Sequence, residues 1–275
     1  MNDRRRSGHP GREGPDVSGS PRTLRRVVED ARTITTRDPE EIQRFSGLAE
    51  AWYDIHGPYA PLHQWNPVRL RYIVNRTTMH FGRDPESPMP LQGLSVLDIG
   101  CGGGLLAEPL ARLGGRVTAI DPVEPAIAIA RHHASQLGLS IDYRATTAEE
   151  IAREGQAFDI VLNINVLPHV ANVTAFMETY STLLAQGGCT VASSLNRTLR
   201  SYCYIVLGLE RVLRWIPKGT HDWRRFVRPD ELCRLLEANG VEVVELVGFR
   251  YKPFRKAFVL TRDLGVQYAA FGIKR

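Results

Sequence analysis

The chain has 275 residues, enough for one large domain with its own core. Apolar residues make up 43% and charged residues 24%, which excludes a wholly disordered or fibrous chain, and no run of 18 apolar residues exists to cross a bilayer as a helix. The net charge is +5, yet residues 197–228 hold eight Lys or Arg against two acids, so this segment carries the whole excess and the remainder is slightly acidic.

Residues 1–40 are rich in Arg, Gly, Ser and Pro and poor in apolar side chains, so they are expected to form a disordered, solvated tail. Asp3, Glu13, Asp16, Glu29 and Asp30 argue against a transit peptide there. Residues 41–90 show helical patterns studded with aromatics (Phe45, Trp52, Tyr53, Tyr59, Trp65, Tyr72) and end in Pro85, Pro88 and Pro90, which suits a helical cap. From residue 91 onward, strands and helices alternate as in a parallel α/β sheet. Strands are expected over 94–99, 116–120, 141–144, 158–164, 189–194, 241–249 and 267–273. Helices are expected over 103–113, 124–136 and 172–184, with a further one opened by Pro229-Asp230 and closed by Gly240. Thr147 and Glu150 have the spacing of a capping box. Cys101, Cys189, Cys203 and Cys233 are scattered, which fits a reducing compartment better than a disulfide framework.

The sharpest motif is Val96-Leu97-Asp98-Ile99-Gly100-Cys101-Gly102-Gly103-Gly104, a strand running into a glycine-rich turn. Glycines let the backbone approach a ligand closely, and a following helix start favours an anion. Asp121 ends the next strand, where a carboxylate can accept bonds from ribose hydroxyls. Gly102, Gly104 and Ala107 also fit a dinucleotide fingerprint. Asp98 separates the two cofactors: it repels a pyrophosphate but suits the sulfonium and amine of S-adenosylmethionine, which ranks ahead of a nicotinamide dinucleotide.

With these residues in place, the stretch from about 41 to 275 resembles the ubiquinone-biosynthesis O-methyltransferase family. The resemblance rests on Tyr59-Ala60-Pro61-Leu62-His63 with Asn66-Pro67 and Arg69, on Val96 to Gly104, on Ala119-Ile120-Asp121-Pro122, on Leu195-Asn196, on Pro217-Lys218-Gly219-Thr220-His221-Asp222-Trp223, and on Tyr251 with Pro253. It implies a class I methyltransferase fold: a Rossmann-like, seven-stranded, mostly parallel sheet with helices on both faces, an N-terminal helical cap and a basic lid. It also implies S-adenosylmethionine as donor, with contacts at Arg69, Gly100, Asp121 and Ile164 beside Asp98 and Gly102, and a polyprenylated catechol-type phenol as acceptor. An arginine such as Arg69 can grip the methionine carboxylate bidentately.

On the acceptor side the resemblance breaks. The family places an E-x-x-E-H metal-binding segment after the fourth strand, and here those positions read Asn165, Val166, Leu167, Pro168 and His169. Both carboxylates are missing, and one amide with one imidazole makes a poor magnesium site, so no metal ligand is assigned. Three readings stay open: His169 as direct general base; polarisation by His63, Lys218, His221 or Asp222; or a non-catalytic, donor-binding subunit that scaffolds other enzymes of the same pathway. A methyltransferase for another small phenol is the nearest competitor.

Tyr202, Ile205, Val206, Leu209, Val212, Leu213 and Ile216 recur at spacings of three and four, flanked by Arg211, Arg214, Trp215 and Lys218. Such a helix suits the headgroup layer of an anionic membrane, which would make the protein peripheral on the inner membrane of a bacterium or on the matrix side of an organelle. The plain alternative is a helix packed on the sheet with a solvated basic face. One basic helix without a recognised module does not suggest nucleic acid.

Overall fold

Val96 to Ile99 are buried whichever way their side chains point, which places their strand at the centre of the sheet. The computed structural model describes residues 36–47, 49–212, 219–252, 255 and 257–275. In it β1 (Ser95–Ile99) lies between β2 (Arg116–Ile120) and β4 (Phe158–Ile164), parallel to both. β3 (Asp142–Arg144) and β5 (Leu184–Leu195) extend the parallel set. β6 (Val241–Lys252), β7 (Ala257–Thr261) and β8 (Gln267–Lys274) complete the order β3-β2-β1-β4-β5-β8-β6-β7. β8 runs antiparallel to both β5 and β6.

The sheet therefore has eight strands rather than the seven expected. The additional one, β7, hydrogen-bonds antiparallel to residues 248–252 of β6. It is a half-buried edge strand without a clean alternation of apolar and polar residues, preceded in the sequence by Arg255-Lys256, and so it carries little period-2 signal.

Alternation along the central strands feeds two packing layers. Val96, Ile160, Leu162 and Val191 face one way, against Trp65, Val68, Tyr72 and Ile73 of α2 (Ala60–His80) and Ile127 and Ala130 of α4 (Glu124–Gln136). Leu97, Ile99, Val161 and Ala192 face the other way, against Ile151 of α5 (Ala148–Arg153), Phe176, Met177 and Tyr180 of α6 (Val173–Thr182), and Leu232 and Leu236 of α7 (Pro229–Ala238). Helix α3 (Ala107–Arg112) begins at Ala107 rather than near 103, because residues 102–106 are taken up by turns. Thr147 and Glu150 form the expected capping box.

Two expectations change in physical character. Helix α1 (Pro39–Ser46) starts inside the stretch assigned to the tail. Asp38 caps it by accepting from the backbone N–H groups of Glu40 and Glu41, and Thr36 is 6% exposed. Residues 1–35 lie outside the described residues. In the basic insert, a turn at Leu199–Ser201 runs into a π-helix at Tyr202–Val212. Three members of its apolar stripe face inward: Ile205 and Leu209 pack with Leu195 and Phe226, and Val206 is buried too, whereas Val212 of the same stripe is exposed. Those three side chains are unavailable to a membrane. Leu199, Tyr204 and Val212 are exposed. Leu213, Arg214, Trp215, Ile216, Pro217, Lys218 and Pro253 lie outside the described residues.

Candidate active site

The carboxyl ends of β1, β2 and β4 open onto a cavity of about 290 Å³. Arg69, Asp98, Gly100, Gly102, Asp121, Ile164 and His169 all line it. Gly100 and Gly102 have φ values of 70° and 52°, the left-handed region that costs an ordinary side chain strain. At both there is also no room: a Cβ on Gly100 would lie 2.4 Å from Val166 Cγ2, and one on Gly102 would lie 2.2 Å from the Trp52 ring.

The Asp121 carboxylate accepts from the backbone N–H of Gly102 at 2.9 Å and of Val123 at 2.9 Å, so it braces the glycine turn while keeping lone pairs for a ligand. Burial raises it to about 6 against those two bonds, and burial raises Asp98 to about 7, with Arg69 opposing the shift and Asp121 adding to it. Arg69 is buried, sits over the Trp65 ring at 4.9 Å and donates Nε–H to Asn66 Oδ1 at 2.7 Å. Its two terminal nitrogens carry no hydrogen bond among the described residues.

Trp52 stacks on Tyr59 with ring centroids 3.9 Å apart, covering the glycine turn. Trp52 Nε1, Tyr59 OH and Asp98 Oδ2 are all buried without a hydrogen-bond partner among the described residues. Orphaned polar atoms are costly unless a ligand satisfies them. This donor set suits a ligand with a cationic centre beside Asp98, hydroxyls at Asp121 and a carboxylate at Arg69. A diphosphate would meet two buried carboxylates instead.

The far end of the same cavity is lined by Asp38, Glu41, Phe45, His169, Thr220 and His221. His169 stands in a 3-10 turn, Leu167–His169, after β4. Its Nδ1 is 2.8 Å from Glu41 Oε2, and the Phe45 ring meets it edge-on at 5.1 Å. Burial holds the imidazole below its ordinary pKa, Glu41 opposes that shift, and His221 and Arg225 add to it. The Glu41 carboxylate is itself lowered: burial works against its charge, but His169, Arg44 and Arg225 outweigh it. His221 Nδ1 lies 2.7 Å from Glu210 Oε1, and Glu210, on the π-helix, also accepts from the backbone N–H of Gly219 and His221.

Other sequence candidates are used elsewhere. His63 binds the Trp52 carbonyl through Nε2 at 2.8 Å, and Asp222 caps the turn Trp223–Arg225. Neither lines the cavity. Asn165 adopts φ 63° and accepts from Ser193 Oγ at 3.2 Å, so its amide is held against β5. Pro168 is buried in the 3-10 turn. No group of three or more His, Cys, Asp or Glu that could hold a metal occurs among the described residues. Glu41 and Glu210 were not among the sequence candidates for the site, and Phe45, Trp52 and Tyr59 were read there only as aromatics of the helical cap, Tyr59 also as part of a family motif. Asp38-Pro39-Glu40-Glu41, a cap followed by Pro and two acids, was the available signal for α1.

A methyltransferase-domain family model matches residues 69–246. The ubiquinone biosynthesis O-methyltransferase of Sinorhizobium fredii is 48% identical over 242 residues, 88% of this chain and 97% of that protein. The mitochondrial protein of the same name from Arabidopsis thaliana is 45% identical over 245 residues, covering 88% and 76%. Among solved structures, a S-adenosylmethionine-dependent methyltransferase of Thermotoga maritima superposes with a TM-score of 0.55 at 17% identity, covering 86% of this chain and 99% of the other. That similarity speaks for the fold alone.

Proposed function

The chain belongs to the ubiquinone-biosynthesis O-methyltransferase family, and from that premise we propose that His169 takes the proton of the phenolic hydroxyl that the enzyme methylates. The enzyme is a S-adenosylmethionine-dependent O-methyltransferase. When bound, the donor supplies a methyl group on a sulfonium, an electrophile that needs no further activation. The protein's task is alignment and proton removal. A phenol has a pKa of ~10, so at neutral pH little of it is phenolate.

One observation carries the reading. The donor-side candidates and a carboxylate-held histidine line a single cavity, where burial keeps that imidazole neutral near pH 7. In this reading Arg69 holds the donor's carboxylate, Asp98 its ammonium and sulfonium, and Asp121 its ribose hydroxyls, while Gly100, Gly102 and Ile164 shape the wall. The acceptor is a polyprenylated, catechol-type ring.

Purified protein, methyl-labelled donor and a short-chain catechol, with and without magnesium and chelator, test this. Transfer is expected to survive the chelator. His169→Gln is expected to cut turnover by roughly 10²–10⁴-fold while donor affinity by calorimetry stays as in the wild type. Donor binding without transfer by the wild type would leave only a scaffold role, and full turnover by His169→Gln would remove this base.

The membrane reading shifts to the outer side of the insert. Leu199 and Val212 are each 75% exposed, Tyr204 is 43% exposed, and Arg211, next to Val212 in the sequence, is exposed too. No helix among the described residues is long and apolar enough to cross a membrane. Reversible contact with an anionic leaflet through 197–228 is therefore the form of attachment we propose, on the inner membrane or the matrix side of an organelle.

A further inference from the structure

The acceptor end of the cavity contains two imidazoles built alike. His169 and His221 lie with ring centroids 6.4 Å apart, and each has its Nδ1 taken by a buried or nearly buried carboxylate: Glu41 of α1 for His169, Glu210 of the π-helix for His221. Each carboxylate fixes the tautomer, because an anion at Nδ1 needs the proton there. With the proton on Nδ1, Nε2 is the acceptor atom of each ring, and neither Nε2 has a hydrogen-bond partner among the described residues.

Each carboxylate is anchored in turn. Glu41 also pairs with Arg44 and lies 3.8 Å from Arg225. Glu210 is 3% exposed and holds two backbone N–H groups of the segment carrying His221. Two elements far apart in sequence thus aim like acceptors into one pocket. A single proton transfer requires only one of them.

We propose that the two histidines grip the two adjacent hydroxyls of the catechol, one each, with Glu41 and Glu210 as positioning residues. This rests on the O-methyltransferase reading above and adds to it how the ring is oriented and why two neighbouring hydroxyls are required. Vicinal ring oxygens stand under ~3 Å apart, and two hydrogen bonds of ~2.8 Å reach from them to flanking imidazoles. His169 Nε2 accepts the proton of the oxygen being methylated, that oxygen's electron pair forms the bond to carbon, the carbon–sulfur pair passes to sulfur, and the imidazolium then loses its proton to water. His221 Nε2 accepts from the second hydroxyl and leaves it unmethylated. The two-point hold that adjacent carboxylates and a metal would provide elsewhere is met here by two imidazoles, without Asn165 or Pro168.

The test compares a short-chain catechol with the matching monophenol, using the full chain. Binding is read by calorimetry with S-adenosylhomocysteine present, and turnover by label transfer with donor. In the wild type the catechol is expected to bind and react at least tenfold better. In His221→Gln that preference is expected to shrink at least tenfold, with the catechol suffering far more than the monophenol. An equal loss on both acceptors, or no loss, overturns the assignment of His221.

Glu41→Gln removes the group that raises the His169 pKa, while His221 and Arg225, which also face the ring, continue to lower it. The acidic limb of the kcat/KM profile is therefore expected to move to lower pH, with a reduced plateau, and Glu41→Asp to restore part of it. A profile of unchanged shape and height in Glu41→Gln removes Glu41 from the scheme. Failure of the wild type to methylate either acceptor defeats the function reading itself, whereas equal use of both defeats only the two-point grip.

Discussion

Asp98 and Asp121 stand at the ends of neighbouring strands, both buried, and both hold their protons to higher pH than an exposed aspartate: about 7 and about 6. The sign of the consequence follows from which form the ligand needs. A sulfonium and a ribose diol favour the carboxylates ionised, so donor affinity is expected to be at least tenfold weaker at pH 5 than at pH 7, with calorimetry as the measure. Affinity that is flat over that interval would take both residues out of donor binding. Stability runs the other way. A carboxyl whose folded pKa lies above its unfolded value of 3.8 contributes stability below that value, which is lost as pH rises through 6 to 7, so the ligand-free fold gives something up to keep a charged site ready. These two residues were legible in the sequence because the chemistry was local: an acid before a glycine turn, and an acid at the end of the next strand. Trp52 was not, since what makes it matter is a contact with Gly102, fifty positions on, that no spacing rule connects.

Helix α1 is short, and its own propensity cannot keep it folded in water. What holds it is tertiary. Asp38 caps it and pairs with Arg225 at 2.8 Å, the Thr36 carbonyl accepts from the backbone N–H of Ala171, and Ile42 and Phe45 pack beside Ala49, Val123 and Ala126. Asp38→Ala removes both the cap and the ion pair. Loss of a cap costs about 1 kcal/mol of helix stability, and the freed helix would no longer fix Glu41 against His169. The expected result is a several-fold rise in acceptor KM with donor Kd unchanged, because among the described residues Arg69, Asp98 and Asp121 share no hydrogen bond or ion pair with α1. Equal loss at both ends would show instead that α1 supports the whole cavity. The parallel strands and their helices were readable from period and turn signals. Helix α1 was not, because composition assigned residues up to 40 to a tail, and a capped helix of eight residues adds little periodicity to set against that.

Across the whole molecule, the charge count of the insert loses much of its meaning once the chain is folded. Arg197 pairs with Glu231, Arg200 with Asp263, Arg225 with Asp38, and Arg228 with Asp230 and Glu231. Arg211 and Arg224 have no ion pair among the described residues. Ile205 and Leu209 of the apolar stripe are likewise spent on packing against Leu195 and Phe226. Both features looked like a membrane face in one dimension because the acids that neutralise the arginines lie outside the segment, and the core that covers Ile205 and Leu209 comes from Leu195 before it and from Phe226 at its far end. Among the described residues of the insert, Leu199, Tyr204, Val212 and Arg211 remain exposed. Each basic group near an anionic leaflet contributes about 1 kcal/mol, so the proposed attachment is expected to be weak, reversible and salt-sensitive. The full chain is expected to float with phosphatidylglycerol-containing vesicles at low salt, to be released as salt shortens the Debye length to a few Å near 1 M, and not to float with phosphatidylcholine alone. Arg211→Glu replaces attraction by repulsion and is expected to abolish most of the flotation while label transfer to a short-chain, water-soluble catechol continues at the wild-type rate. Flotation equal on neutral and anionic vesicles would mean that Leu199, Tyr204 and Val212 act without the charge, and no flotation on either would return the insert to a purely structural part of the protein.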